Sequence, residues 1–451
     1  MTDLLIKDGY LVFPDLTLRS NVYSEDGVIK AIGSSVPASA DRVIDAFEKY
    51  VLPGAVDEHV HCRDPGFTYK EDFETCTESA AAGGITAVLD MPNNLPPTDD
   101  PSRLNEKSEM FLKKAYVDFG LYGVLHDSNI EKFESMVDAG AIAFKIYMGP
   151  STGNIPPPND GSIIEALKKS VKKNITVVFH AENEKIVEFF TEKLKSSGRT
   201  DPRAHMEARP AIAEEEAIRR VSLFAERTGA RILIAHVSSV EGLNALKEAK
   251  NYGADVYGET CPHYLFLDET AYDKYGTLVK INPPVRTAAD REALWKGIES
   301  GTITNIGSDH APHTLEEKSK GVWNSASGII GVQTVLPLML SEAAKGRITM
   351  NRIVSLLSEK PAKLFGFYGK KGIISVNSDA DFVIFDPSKE FTIKEEWLYS
   401  KSKNSPFIGW KLRGKIILTL LRGKEIYDGE KVLEKNGKQI KRQPSFNKMN
   451  V

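Results

Sequence analysis

The stretch Val51-Leu-Pro-Gly-Ala-Val-Asp-Glu-His-Val-His-Cys-Arg-Asp-Pro-Gly66 decides how the rest of this chain is interpreted. Its apolar beginning predicts a buried strand, and side chains along a strand alternate between its two faces. His59, His61 and Arg63 are therefore expected to point to the same side. Two imidazoles at a strand end suit a metal such as zinc, and a nearby guanidinium suits an anionic ligand beside that metal. The alternative is a half-buried strand with polar residues on its solvated face.

The composition is that of a soluble globular enzyme with one large and one smaller domain: 451 residues, 41% hydrophobic and 27% charged. A formal net charge of −4 argues against nucleic acid as the main partner. The sequence shows neither a signal peptide nor an apolar run of transmembrane length, so we expect a cytoplasmic protein without a membrane partner. Cys62, Cys76 and Cys261 are widely spaced, so we expect no disulfide framework.

From Val51 onward, short apolar strands alternate with amphipathic helical segments. The predicted strands are 51–61, 86–92, 117–125, 141–148, 175–181, 230–237, 254–260 and 303–308. Eight such alternations predict an α/β fold of the (β/α)8 barrel type. A doubly wound sheet would also alternate, but the count of eight and the spread of chemical residues along the chain favour the barrel.

The sequences at both ends of the chain have the pattern of short strands joined by turns. We expect residues 1–50 and 368–434 to form one small β-sandwich domain beside a barrel spanning residues 51–367. The tail, 435–451, is basic and polar, and we expect it to be solvated and loosely ordered.

Side chains that bind metals follow several of the predicted strands. In a barrel of this type the site lies where the strands end, so these side chains are expected to meet at one rim. They are His59, His61, His180, His236 and Asp309. Together they are enough for two metal ions. Lys145 lies inside an apolar run, where an ammonium is costly and cannot bind a metal, so it must lose its proton, be modified or pair with a carboxylate.

Seven short motifs resemble the amidohydrolase superfamily and, within it, the dihydroorotases. They are His59-Val-His-Cys-Arg-Asp-Pro-Gly66, Asp90-Met-Pro-Asn93, Phe144-Lys-Ile-Tyr-Met-Gly149, His180-Ala-Glu182, Ala235-His-Val-Ser238, Ile281-Asn-Pro-Pro284 and Ser308-Asp-His-Ala-Pro-His313. The likeness covers nearly the whole chain, including the split β domain.

The resemblance implies a pair of zinc ions bridged by a carboxylated lysine and a hydroxide. One zinc would be held by His59, His61 and Asp309, the other by His180 and His236, and the carbamate of Lys145 would bridge them. Asp309 would serve as general base and then as general acid. The matched positions for a substrate carboxylate are Arg63, Asn93 and His313, and Asn282 would face the ring amide. The implied reaction is the reversible hydrolysis of L-dihydroorotate to N-carbamoyl-L-aspartate, a step of de novo pyrimidine biosynthesis.

Two other functions remain open. An allantoinase or hydantoinase would share the metal ligands, but its substrate has no ring carboxylate for Arg63. An inactive scaffold for aspartate transcarbamoylase would be expected to have lost metal ligands, and this chain has the full set. A homodimer is the expected oligomeric state.

Overall fold

The structure is a computed structural model that describes residues 3–149 and 155–443. Its strands are β1 Leu4–Val12, β2 Thr17–Glu25, β3 Val28–Ile32, β4 Arg42–Asp45, β5 Tyr50–Pro53, β6 Ala55–Val60, β7 Ile85–Asp90, β8 Asp118–Val124, β9 Ala141–Tyr147, β10 Val177–His180, β11 Ile232–Ile234, β12 Val256–Thr260, β13 Asn305–Ile306, β14 Phe382–Thr392, β15 Lys411–Leu421 and β16 Lys424–Tyr427.

The helices are α1 Phe73–Ala82, α2 Pro101–Leu112, α3 Phe133–Asp138, α4 Asp160–Lys173, α5 Glu184–Ser196, α6 Ala204–Ala208, α7 Ala211–Thr228, α8 Val240–Asn251, α9 Pro262–Phe266, α10 Ala271–Tyr275, α11 Ala288–Ser300, α12 Leu315–Lys318, α13 Gly321–Asn324, α14 Val335–Ala344, α15 Met350–Val354 and α16 Lys360–Leu364. Several helices begin at a side chain that accepts a backbone N–H, among them α1 at Asp72, α4 at Asn159 and α8 at Ser239. Among the described residues, none of these helices is long and apolar enough to cross a membrane.

Strands β6 to β13 pair in sequence order, and every pair is parallel. The ring is closed beyond β13, where Val60 and His310 form a parallel bridge and the His61 N–H donates to the His310 carbonyl at 2.8 Å. The predicted eight-stranded barrel is therefore confirmed. Its strands are buried on both faces, as expected when helices cover the outside.

The small domain is also confirmed, with strands from both chain ends in one mostly antiparallel sheet ordered β16-β15-β14-β5-β1-β2-β3, with β4 beside β1. The predicted strand 51–61 is wrong as a single element, because its first part, β5, belongs to this sheet and its second part, β6, opens the barrel. The chain passes between them at Gly54, where the Cβ of any other residue would overlap Thr86.

Two cations and three buried carboxylates join the small domain to the barrel. Lys371 lies 2.7 Å from Asp381 and 3.0 Å from Asp379, and it also pairs with Asp118 at the start of β8. Arg422 reaches the same Asp118. The three carboxylates are close enough to one another to hold a metal ion, but Lys371, Arg422 and a third cation, Lys370, which lies 2.5 Å from Asp379, already neutralise them.

The structure corrects two other expectations. Cys62 and Cys76 form a disulfide, with their Cα atoms 5.5 Å apart, because the chain after β6 turns back against α1.

The tail is ordered as far as residue 443, and its last eight residues lie outside the described part. Ile440 is buried in the barrel floor, and its N–H donates to the Phe119 carbonyl at 2.7 Å. One apolar residue is enough to dock this polar segment, since the floor would otherwise leave apolar surface uncovered.

Candidate active site

One cavity lies at the carboxyl ends of the barrel strands. Its lining includes all but one of the predicted site residues, namely His59, His61, Arg63, Asn93, Lys145, His180, His236, Asn282 and Asp309. Tyr147, Ala311, Ser327 and Gly328 complete the wall. Side chains from seven strands or the segments that follow them thus meet in one place, because all barrel strands run in the same direction.

His59, His61 and Asp309 form the first group of potential metal ligands. The Nε2 atoms of the two histidines lie 3.3 and 3.1 Å from the Asp309 Oδ1. Asp309 has a φ of 45°, a left-handed conformation that L residues rarely adopt. Such backbone strain is concentrated at functional sites, where the surrounding structure holds it in place.

The other ring nitrogens of these histidines are held by hydrogen bonds. His59 Nδ1 lies 2.8 Å from Glu259 Oε1, and His61 Nδ1 lies 2.7 Å from Asn93 Oδ1. Since both partners accept, each histidine donates from Nδ1 and keeps a lone pair on Nε2. Burial also lowers the pKa of His61 to about 3, which keeps its imidazole neutral.

His180 and His236 form the second group. His180 Nδ1 lies 3.0 Å from His236 Nε2. His180 donates from Nε2 to Glu182 at 2.9 Å, and Glu182 is held in turn by Arg209 through a buried two-point ion pair. Burial lowers the pKa of both histidines, so two neutral imidazoles converge here.

Lys145 lies in the same cavity and is completely buried. Among the described residues, its Nζ has no hydrogen-bond partner, and no carboxylate lies within ion-pair distance. Burial lowers the pKa of Lys145 to about 8. An unpartnered amine beside four histidine side chains and one carboxylate is a donor set that fits metal ions, provided the lysine is modified to an anionic ligand.

Arg63 lies on another wall of the cavity and is 2% exposed. Its Nε donates to the Pro312 carbonyl at 3.2 Å, and its Nη2 lies 3.1 Å from His313 Nε2. Within the described part of the chain, Nη1 has no hydrogen-bond partner and no carboxylate pairs with the guanidinium. The site therefore contains a buried cation without a counter-ion.

His313 is the predicted site residue that the structure does not place on the cavity wall. It lies behind Arg63, where its Nε2 is 3.1 Å from the Ser327 carbonyl and its Nδ1 is 3.1 Å from the Lys70 ammonium. The Ser327 carbonyl and the Lys70 ammonium assign the proton to Nε2, so the 3.1 Å approach of Arg63 Nη2 to this atom is a contact between two donors and not a hydrogen bond. His313 thus supports the loop and does not face a ligand. Asn93 and Asn282 do reach the cavity, and the buried Asn282 Oδ1 has no partner among the described residues.

Tyr147 is a site residue to which the sequence pattern assigned no role. It lines the cavity, and its hydroxyl is buried without a partner in the described chain. Burial raises its pKa well above the usual range, so the hydroxyl keeps its proton and can donate it. The available signal was its position two residues after Lys145, which places both side chains on one face of β9.

Comparisons with known proteins agree with this geometry. The sequence profile of the amidohydrolase family matches residues 50–426. The chain is 36% identical to an L-hydantoinase of Paenarthrobacter aurescens over 444 residues, 97% of each chain. It is 37% identical to a dihydroorotase of Geobacter sp. (strain M21) over 428 residues, 94% of this chain and 99% of the other. The crystal structure of the L-hydantoinase (dihydropyrimidinase) from Arthrobacter aurescens superposes with a TM-score of 0.95 at 36% identity, over 98% of this chain and 100% of the other. Allantoinases are similar to the chain as well, for example that of Rubrobacter xylanophilus, 36% identical over 436 residues, 96% of this chain and 95% of the other. These identities do not separate the three activities, but they show that the chain belongs to the amidohydrolase family, among cyclic amidases of the hydantoinase, allantoinase and dihydroorotase type.

Proposed function

We propose that this protein is a dihydroorotase, which hydrolyses L-dihydroorotate reversibly to N-carbamoyl-L-aspartate. The observation that carries the proposal is the buried guanidinium of Arg63, a residue of the cavity wall: among the described residues its Nη1 has no partner and no carboxylate lies within ion-pair distance. An isolated buried charge is costly unless a ligand neutralises it. The planar fork of an arginine matches the two oxygens of a carboxylate.

Among cyclic amides, this arrangement favours a ring that carries a carboxylate. Such a substrate would pair with Arg63 while its amide faces the histidines and Asp309. A ring without a carboxylate would leave the buried cation unpaired, at a cost of several kcal/mol. Asn93 and Asn282 offer further polar contacts on the same cavity.

We further propose that the site holds two zinc ions. His59, His61 and Asp309 would hold one, and His180 and His236 the other. Lys145 would hold both as its carbamate, which changes a costly cation into an anionic ligand with two oxygens. When bound, the pair of ions would supply a Lewis acid and a water molecule acidic enough to react at neutral pH.

Replacing Lys145 by methionine tests the proposed metal site. We expect the zinc-loaded parent protein to hold two ions per chain and Lys145→Met to hold one or none, because the variant lacks the shared ligand. Metal analysis of dialysed protein gives the count, and His126→Gln is the matched control, since His126 pairs with Asp99 and Ser128 away from the cavity. Two firmly bound ions in Lys145→Met would contradict the bridging role.

The chain's own residues supply the remaining chemistry. Burial raises the pKa of Asp309, but the neighbouring His59 and His61 outweigh burial and hold this pKa well below its usual range. Asp309 is therefore a carboxylate that is able to accept a proton. Asp309 would accept the proton of the nucleophile and deliver it to the departing ring nitrogen. Tyr147 would donate its hydroxyl hydrogen to the oxygen that gains negative charge.

A hydantoinase is the second candidate, and one feature of the structure favours it. A separate cavity of about 250 Å³ shares Asn282 and Ser327 with the site. Val187 and Trp323 also line it, but most of its other lining residues, Lys280 among them, are polar or charged. It offers space for a bulky ring substituent, which dihydroorotate does not have.

A panel of substrates distinguishes these functions. Zinc-loaded protein is assayed for ring opening of L-dihydroorotate, hydantoin, allantoin and dihydrouracil. We expect turnover of L-dihydroorotate alone. Turnover of the uncharged rings instead would overturn the argument from Arg63 and favour the second candidate, while two bound ions with no turnover of any ring would reject both.

A further inference from the structure

Two buried lysines without counter-ions lie next to the cavity. Lys318, at the end of α12, is 1% exposed, and Lys280, two residues before Asn282, is 7% exposed. Among the described residues, neither lysine lies within ion-pair distance of a carboxylate. Burial lowers the pKa of Lys318 to about 7 and that of Lys280 to about 8, so each charge is held at a cost.

Both ammonium groups donate to backbone carbonyls instead. Lys318 Nζ lies 2.9 Å from the Lys280 carbonyl, 3.1 Å from that of Ala326 and 2.9 Å from that of Gly328. Its three N–H donors are thus all used. Lys280 Nζ donates to the carbonyls of Val322 and Ser325, at 2.6 and 2.7 Å. The two lysines therefore connect the segment around Lys280 to the segment that runs from Lys318 to Gly328.

The tied segments form part of the cavity wall. Ser327 and Gly328 line the cavity on one side and Asn282 on the neighbouring side. The Gly328 N–H donates to the Lys280 carbonyl at 2.9 Å, the same oxygen that accepts from Lys318. Between α12 and residue 328 the chain forms only the short helix α13. The carbonyl contacts of the two lysines therefore help to fix its backbone, together with bonds such as that from the Ala326 N–H to the Glu317 carbonyl at 3.0 Å.

We propose that Lys318 and Lys280 are positioning residues that hold the wall formed by residues 325–328 and Asn282 in the geometry that binds substrate. The proposal rests on the proposed function in one respect, that this cavity binds the substrate. Removing the Lys318 ammonium leaves the Ala326 and Gly328 carbonyls without this donor, while the Lys280 carbonyl keeps the Gly328 N–H. The wall is then held less firmly, while the metal ligands, which lie on other segments, stay in place. The loss is therefore expected in substrate binding more than in the chemical step.

The variants Lys318→Met and Lys318→Gln test this, with Lys320→Met as the matched control because Lys320 is exposed on the same loop. In Lys318→Met we expect amide exchange at Ala326 and Gly328 to be faster by about 10-fold or more. We also expect KM for L-dihydroorotate to rise roughly tenfold, with kcat within about twofold and the metal count unchanged. Lys318→Gln, which keeps two N–H donors, is expected to lie between Lys318→Met and the parent, and Lys320→Met to match the parent.

Unchanged exchange at both amides in Lys318→Met would overturn the proposal, and so would faster exchange throughout the barrel, which would indicate a general structural role. If Lys318→Met does not fold, Lys318→Gln decides by the same two amides. Failure of the parent protein to open L-dihydroorotate would reject the proposed substrate, but the exchange measurement would still decide the role of the lysines.

Discussion

Replacing Arg63 by methionine is expected to lower kcat/KM for L-dihydroorotate by roughly 10²- to 10⁴-fold, since truncating one partner of a buried charge pair costs about 3–5 kcal/mol. Arg63 is 2% exposed and its Nη1 has no partner among the described residues, so a substrate carboxylate would supply its counter-charge. Methionine fills a similar volume without the charge. The measurement is steady-state ring opening at equal metal content.

Arg63→Lys is the matched variant, because it keeps the charge but loses the planar fork. We expect its kcat/KM to lie between those of the parent and Arg63→Met. Thermal unfolding and metal content are measured for both variants, and neither is expected to change. A loss of stability or of bound metal in Arg63→Met large enough to explain the lost activity would show that Arg63 supports the site as a whole and does not bind a carboxylate.

Replacing Asp309 by asparagine is expected to lower kcat by roughly 10²- to 10⁴-fold, the usual contribution of a positioned general acid–base group. Asparagine has the same shape but cannot accept the proton. It also tolerates the left-handed backbone that Asp309 adopts, with a φ of 45°, so the fold is expected to survive. The measurement is kcat for ring opening, together with thermal unfolding as the test of folding.

Because Asp309 lies with His59 and His61 in a group able to hold a metal ion, metal analysis accompanies the Asp309→Asn assay. Loss of turnover with both ions still bound would assign the effect to proton transfer. A loss of activity in simple proportion to lost metal would contradict the acid–base role and leave Asp309 as a ligand only.

The predicted site depended on local patterns and on one rule of the fold. His59 and His61 are two residues apart, so strand alternation placed them together. His180 ends β10 and Asp309 follows β13, and parallel strands bring such positions to one rim. The structure brings these side chains into one cavity. Their meeting was predictable because it follows from strand alternation and strand direction, and not from contacts between distant loops.

Other features depended on such contacts and could not be predicted. His313 follows the expected motif, yet it lies behind Arg63 because Ser327 and Lys70 hold its ring nitrogens. Nothing in its sequence surroundings indicates either partner. Likewise, the disulfide of Cys62 and Cys76 depends on the turn between β6 and α1, which sequence spacing alone does not reveal.

The sequence by itself thus determined the barrel, the small domain made from both chain ends and the residue types of the site, since strand periodicity and apolar runs are properties of short segments. Only the tertiary structure decided which polar atoms of the described residues are left without partners, among them Arg63 Nη1, Lys145 Nζ and the Tyr147 hydroxyl. Whether a buried group is paired depends on every segment packed around it, including segments more than a hundred residues away in the chain. For that reason, the class of substrate could be inferred only from the folded molecule.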